Sequence, residues 1–387
     1  MNNTNSIPSP CFVLDEHLLK KNLELIDGVQ QRAGIKIILA LKGFAMFSAA
    51  KLIRRHLVGT TASSLFEARL GSAEFLNGEV HAYSPAWLPA DFEQLMDLCG
   101  HISFNSLSQY ENLMPIYQKS TKKVSLGLRI NPEYSTVQTD LYNPCVAGSR
   151  LGVLSEQLGA TLPPYIEGLH AHNLCESDSF AAEQTLLNIE RLFGRFLPHI
   201  RWLNLGGGHL MTRKGYDVEH LIATLKNFKL KYPNIEIIME PGSAVAWQTG
   251  TLHTTVLDIV ENKGIKTAII DASISAHMPD CIEMPYKPAI SGATDADGLT
   301  NELRDQKYLC RIGGLTCLAG DFLTEYAFDE PLQVGDKLIF EDMMHYTMVK
   351  TTTFNGVNLP SIGILKENGV FQLVKTFYYE DFRNRLS

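Results

Sequence analysis

Ile35-Lys36-Ile37-Ile38-Leu39-Ala40-Leu41-Lys42-Gly43-Phe44 is the stretch on which the reading of the fold turns. Six of its first seven residues are apolar and three are β-branched, the make-up of a strand buried on both faces, and the run ends in a lysine followed at once by glycine. An amine is thereby placed at a strand's carboxyl end. Carboxyl ends of strands are where chemistry gathers in parallel α/β folds, and a lysine there can form a Schiff base if its surroundings lower its pKa. A lysine that simply leaves a strand for solvent has the same local pattern, so the rest of the chain must decide.

Before this stretch, Pro8 to Leu14 reads as a short strand. Asp15 is a suitable cap for a helix beginning near Glu16, with Leu18, Leu19, Leu23 and Ile26 as its apolar stripe. After Lys42 the pattern predicts a helix through Met46 to His56, then strands at Val58 to Ala62, Val80 to Tyr83, His101 to Phe104, Val124 to Ile130, Ile166 to His172, Trp202 to Leu205 and Glu236 to Met239. Helical patterns separate most of them: Ser64 to Phe75, Ala90 to Leu98, Ser108 to Gln118, Phe180 to Phe196 and Val218 to Lys231. With the lysine strand this makes eight strands in alternation with helices, the signature of an α/β fold of the (β/α)8 TIM-barrel type, expected over residues 17–250. Beyond Thr251 the helical beat is lost. Strands are expected at Thr254 to Val260, Thr267 to Ile270, Lys307 to Ile312, Lys337 to Glu341 and Val370 to Lys375, so residues 1–16 and 251–387 together should form an all-β domain.

The eight barrel strands end at Lys42, Ser63, Ser84, Asn105, Asn131, His172, Gly206 to Gly208, and Glu240, all polar or glycine. Such convergence points to a site at the barrel's carboxyl face. Gly206-Gly207-Gly208 follows a buried strand, and three glycines leave backbone N–H groups able to approach an anion such as phosphate, although a flexible turn has the same composition. Neither GxGxxG nor GK[ST] is present, so this is no dinucleotide fingerprint or P-loop. Glu240, directly after an apolar strand, is expensive unless it meets a cation or a protonated ring nitrogen. His170 and His172 point the same way along one strand; His170 reads as a core residue and His172, nearer the end, as a group that stacks on a flat cofactor.

Composition sets the outer limits. The 387 residues are 45% hydrophobic and 20% charged, and 34 basic against 42 acidic side chains give a net charge of −8, which argues against a nucleic-acid surface. No apolar run approaches the roughly 18 residues of a membrane span, and Met1 to Ser9 lacks the basic and apolar blocks of a signal peptide, so a cytoplasmic location is expected. Seven cysteines without paired spacing fit reduced thiols, and no zinc pattern is present; no metal site is expected.

Lys42, the Gly168-Leu169-His170-Ala171-His172 strand, the triple glycine and Glu240-Pro241-Gly242 together resemble the fold type III, alanine-racemase-like decarboxylases dependent on pyridoxal phosphate, which include ornithine, arginine and diaminopimelate decarboxylases. The resemblance runs from Pro10-Cys11-Phe12-Val13-Leu14-Asp15 to Tyr346-Thr347 and Thr353-Phe354-Asn355-Gly356. Ala40 to Ala45, His172-Asn173-Leu174-Cys175-Glu176 and Cys317-Leu318-Ala319-Gly320-Asp321 are most similar to the branch that decarboxylates carboxynorspermidine, with carboxyspermidine as the next substrate, in polyamine biosynthesis.

The resemblance implies roles. Lys42 would hold the cofactor and His172 would stack on its ring. Gly206, Gly207, Gly208, Gly242 and Tyr346 would hold the phosphate. Glu240 would keep the pyridine nitrogen protonated, which favours decarboxylation, whereas alanine racemases of the same barrel place an arginine there. In a head-to-tail homodimer the β-domain would complete the partner subunit's site, with Cys317 returning a proton after CO2 loss; read alone, Cys317 is a small apolar residue. Relatives carry an acid directly after that cysteine where this chain has Leu318. A longer cation could instead meet Asp321 and Asp280, with Glu283 close by. His172-Asn173-Leu174-Cys175 replaces the usual His-Val-Gly-Ser, so a phosphate-positioning serine is missing or replaced by Ser177, and the contact of Ser243 with phosphate or substrate stays open. Alternatives are a decarboxylase of diaminopimelate or another basic amino acid, and a cofactor-free regulator that only binds partners.

Overall fold

The strand expected at residues 35–41 is the first stave of a closed barrel. In the computed structural model, which describes residues 7–76, 78–284 and 286–387, a first strand β1 (Cys11–Asp15) leads into a helix, Glu16–Ala33, and then into the barrel. Eight parallel strands follow: β2 (Lys36–Ala40), β3 (Gly59–Ala62), β4 (Glu79–Tyr83), β5 (His101–Phe104), β6 (Ser125–Ile130), β7 (Ile166–Ala171), β8 (Trp202–Asn204) and β9 (Glu236–Met239), with β9 pairing back onto β2. Closure leaves no free edge.

Side-chain caps start the surrounding helices where the sequence places Ser or Asp. Ser64 accepts from the Glu67 N–H ahead of helix Leu65–Glu74, and Ser106 from the Gln109 N–H ahead of Leu107–Lys119. Asp178 and Asp217 do the same for Ser179–Phe193 and Val218–Lys231. Two expectations need correction. The helix expected over 46–56 is a 3-10 turn, Phe47–Ala49, followed by a single α-turn, Ala50–Ile53. In the first helix Leu19, Leu23 and Ile26 are fully buried but Leu18 is 38% exposed, because a 3.6-residue period carries position 18 off the stripe that 19, 23 and 26 share.

Trp202 fills the lower barrel, and two neighbouring strands make room for it. A Cβ at Gly168 would stand 2.0 Å from its indole and one at Gly127 2.2 Å away, so glycine is required on β6 and β7 for the ring to lie across the lumen. Ile38 and Ile238 pack with it. At the amino-terminal ends of the strands, Lys36 forms ion pairs with Glu79 and with Glu236 at 3.1 Å, stitching β2 to β4 and β9.

The second unit contains β1 and residues from Ala246 onward, the barrel unit running from Lys20 to Val245. Its strands are β10 (Gly250–Asn262), β11 (Ile265–Ile270), β12 (Ala293–Asp295), β13 (Tyr308–Gly313), β14 (Phe322–Phe328), β15 (Lys337–Glu341), β16 (Ser361–Leu365) and β17 (Phe371–Lys375). The sheet order is β12-β14-β13-β11-β10-β1-β16-β17, with β15 on β10. β1 lies antiparallel to β10 and parallel to β16, which is why the opening segment belongs with the last ones. β12, β14 and β16 were not apparent in the sequence. In β16 a glycine interrupts the alternation, and a Cβ at Gly363 would stand 2.3 Å from the Phe371 ring. No helix among the described residues is long and apolar enough to cross a membrane.

Candidate active site at the carboxyl ends of the barrel strands

Lys42, His172 and Glu240 meet at one end of the barrel. Gly43 lets the chain leave β2 closely against the loop after β9, since a Cβ there would stand 2.9 Å from Gly242 Cα. Lys42 Nζ lies 3.3 Å from His172 Nε2, and the Gly207 N–H donates to His172 Nδ1 at 2.9 Å. With Nδ1 accepting from Gly207, the neutral ring carries its proton on Nε2, the nitrogen that faces the Lys42 amine. Although the Lys42 side chain as a whole is accessible, burial of its amine pushes the pKa down, and Arg129 adds to this against the opposing pull of Glu240 and Glu67. Burial, then Lys42 and Arg129, also hold His172 well below the usual imidazole range. An uncharged amine is the nucleophilic form.

Glu240 is buried, and its Oε1 accepts from Asn204 Nδ2 at 2.6 Å while Oε2 lies 3.5 Å from His170 Nε2. Burial raises its pKa, but His170, Asn204, His81 and Lys42 outweigh it, so the carboxyl stays below its ordinary value and ionised. A buried, ionised carboxylate suits a protonated ring nitrogen.

The triple glycine differs from the open cradle expected. The Gly206 N–H donates to Asn204 Oδ1 at 2.8 Å and the Gly207 N–H to His172, which leaves the Gly208 N–H for an anion. Glycine is needed for close approach instead: a Cβ at Gly206 would stand 2.4 Å from His172 Nδ1, at Gly207 2.3 Å from the Glu240 carbonyl, and at Gly208 1.8 Å from the Leu174 carbonyl. Ser243 opens a short helical turn directly after Gly242. The Ser177 hydroxyl lies 2.8 Å from Thr136 Oγ1 and donates to the Cys175 carbonyl at 3.0 Å. Asn105 and Asn131, also at strand ends, bind loops: Asn105 Oδ1 accepts from Tyr83 and Gly152, and Asn131 Oδ1 from the Glu133 N–H.

Arg129, Tyr83, Asn204 and Glu67 were missed from the sequence. Arg129 is buried on β6, donates to the His172 carbonyl at 2.7 Å and lies 4.5 Å over the Tyr83 ring. An arginine within Leu126-Gly127-Leu128-Arg129-Ile130 carries the same signal that singled out Glu240, a charge inside an apolar strand.

In the sheet unit, Cys317 is exposed on a loop, and its N–H donates to Asn355 Oδ1 at 2.8 Å. Asp321, expected to hold a substrate amine, is buried beneath that loop and has other partners. Its carboxylate accepts from Ser273 Oγ, the Ser275 N–H, the Thr316 N–H and Thr316 Oγ1, at 2.6–3.1 Å. Its oxygens order the loop that bears Cys317, and a Cβ at Gly314 would stand 2.4 Å from one of them. Asp280 and Glu283 are both ion-paired to Lys350, so a cation arriving at Asp280 must compete with an ammonium already there. Tyr346 holds a left-handed backbone, φ 54°, beside His345.

Pyridoxal phosphate can be tested against these groups. A lysine amine whose pKa burial lowers, an imidazole beside it, a buried ionised acid and a glycine N–H are the groups such a cofactor needs, and they fit it.

Comparison with known proteins agrees. Residues 11–344 match the family model described as pyridoxal-dependent decarboxylase, C-terminal sheet domain. A carboxyaminopropylagmatine decarboxylase of Synechocystis sp. is 56% identical over 99% of this chain and 96% of its own. A carboxynorspermidine/carboxyspermidine decarboxylase of Campylobacter jejuni is 43% identical over 98% of each chain. The crystal structure of carboxynorspermidine decarboxylase complexed with norspermidine, also from Campylobacter jejuni, superimposes with a TM-score of 0.89 at 42% identity, covering 98% of this chain and all of that one. With identity sustained over the whole length and the lysine, histidine and acid gathered at one barrel mouth, this chain belongs to the family of pyridoxal-dependent ornithine, diaminopimelate and arginine decarboxylases.

Proposed function

We propose that this chain is a cytoplasmic, pyridoxal-phosphate-dependent lyase that removes the α-carboxylate of carboxynorspermidine and carboxyspermidine to give the polyamine and CO2. The observation that carries the chemistry is the Lys42 amine, its pKa lowered by burial, 3.3 Å from His172 at a mouth that also holds buried, ionised Glu240. The similarity to the 43%-identical relative carries the substrate. A second reading is favoured by the 56%-identical relative, which is named for carboxyaminopropylagmatine. That compound shares the carboxyaminopropyl head and ends in a guanidinium in place of an ammonium.

When bound, pyridoxal phosphate supplies a pyridinium that withdraws the electron pair released with CO2. The residues do the rest. Lys42 would hold the cofactor through its amine, for which its lowered pKa suits it. His172, fixed by the Gly207 N–H on one nitrogen, would stack on the cofactor ring. Glu240, buried and ionised, would hold a proton on the ring nitrogen. The Gly208 N–H, Gly242 and Tyr346 would hold the phosphate, and Ser243 directly follows Gly242. Cys317 of the sheet unit would deliver a proton to the α-carbon, acting on the partner subunit's site in a homodimer. Shared sites predict that mixed Lys42→Ala and Cys317→Ala proteins regain roughly a quarter of wild-type activity, from hybrid dimers with one intact site.

The deciding experiment is CO2 release by cofactor-loaded protein from carboxynorspermidine, carboxyspermidine, carboxyaminopropylagmatine, diaminopimelate, ornithine, lysine and arginine. Preference for the first two supports the first reading, and preference for the third selects the second. Faster turnover of a free amino acid would overturn both, and failure to take up cofactor would leave a binding protein.

A further inference from the structure

His170 lies two residues before His172 on β7 and is enclosed within the barrel at 2% exposure, yet neither ring nitrogen has a hydrogen-bond partner. An unmet buried donor costs about 1–3 kcal/mol, so packing alone would be better served by an apolar side chain. What distinguishes the position is the neighbour: Nε2 stands 3.5 Å from Glu240 Oε2, while the other oxygen of Glu240 is held by Asn204 at 2.6 Å. Tyr83 meets the imidazole edge-on at 5.2 Å and is itself covered by Arg129 at 4.5 Å, so the ring is backed by a braced wall.

The groups facing it come from four strands or strand ends besides its own β7: Glu240 after β9, Arg129 on β6, Lys42 after β2, and His81 and Tyr83 on β4. Burial dominates, and with Arg129, Lys42 and His81 it pushes the imidazole down to about 4 against the pull of Glu240. A neutral imidazole can therefore donate one N–H toward Glu240 without bringing a second charge into the barrel.

We propose that His170 is a positioning residue for Glu240: its Nε2–H closes onto Oε2 opposite the Asn204 donor on Oε1, so that the carboxylate is clamped on both oxygens and kept ionised. Catalytic hydrogen bonds are often long before a site is loaded, and 3.5 Å is within a small closure of a normal bond. The clamp answers a physical difficulty. Burial alone drives a carboxyl toward its neutral form, and a neutral Glu240 could not hold a proton on a ring nitrogen. Two donors on the two oxygens reverse that, and they leave lone pairs free for a cationic N–H. The link to the ring nitrogen rests on the function proposed above; the clamp itself does not.

The test uses His170→Phe, which removes the donor, and His170→Gln, whose amide N–H reaches about as far as Nε2. In cofactor-free protein, the Glu240 titration followed by carboxyl 13C NMR should rise by about one pH unit or more in His170→Phe and return toward wild type in His170→Gln. In cofactor-loaded protein, kcat should fall ~10–100-fold in His170→Phe with little change in KM, the pH titration of the visible band should shift, and the glutamine variant should recover most of the rate. A merely structural histidine predicts lost thermal stability with unchanged Glu240 titration. If Glu240 titrates identically in wild type and His170→Phe, the proposal is wrong. If the shift is seen but wild-type protein binds no cofactor, the clamp stands and the function proposed above is wrong.

Discussion

Lys36 and Lys42 stand on the same barrel strand, one at its base and one just past its tip, and their surroundings treat them in opposite ways. At the base, hydrogen bonds and Coulomb attraction from Glu79 and Glu236 outweigh partial burial and raise the Lys36 pKa, which fixes a charged ammonium between three strands. At the tip, no carboxylate among the described residues stands within ion-pairing distance of Lys42, and burial with Arg129 lowers its pKa. The acids repeat the contrast: Glu236 opens β9 paired to Lys36, whereas Glu240 closes it held by Asn204 and beside His170. A closed ion pair consumes a lysine's reactivity in holding the barrel together. Withholding the partner leaves the amine available for chemistry.

The largest expected effect is at the tip. Lys42→Ala should lower turnover by roughly 10^4-fold or more and abolish the visible band of bound cofactor, read by CO2 release and absorption. Glu240→Gln should follow, with kcat reduced on the order of 10^2-fold, because an amide cannot hold a proton on the ring nitrogen. Asp321→Ala should cost about 3 kcal/mol in urea unfolding, since it leaves several buried donors around the Cys317 loop without an acceptor. An Asp321→Asn protein that is fully stable but has a raised KM would return Asp321 to the substrate-binding role expected from the sequence. Acid should weaken the fold through the buried histidines. His170, His209 and His277 are pushed by burial from 6.5 to about 4, so the unfolded chain binds more protons in that window. Stability should therefore be full above pH 6.5 and fall as the pH drops toward about 4, measured by unfolding at fixed ionic strength. The smallest effect is at the base: Lys36→Met should cost ~1 kcal/mol and leave kcat within about twofold of wild type.

The barrel was legible because a double-faced apolar strand and a capped helix have different periods, and eight repeats of that alternation admit few folds. Lys42, His172 and Glu240 were legible for a related reason, since each puts a polar group at the end of an apolar run. Tyr83 and Asn204 were not, because strand alternation hides which residues face a barrel's lumen until the barrel is closed, whereas Arg129 offered the signal of a charge inside an apolar strand. The partners of Asp321 were not legible, because nothing in Cys317-Leu318-Ala319-Gly320-Asp321 shows that Ser273 and Ser275, far upstream, supply donors to it. Short strands such as β12 and β16 escaped notice because their pairing partners are distant in sequence.

The most direct measurement is to load the protein with pyridoxal phosphate, reduce it with borohydride, digest it and locate the modified lysine by mass spectrometry. The contrast between the two ends of β2 predicts the label on Lys42 and none on Lys36. Label on Lys36 or on another lysine, or none at all, would contradict it.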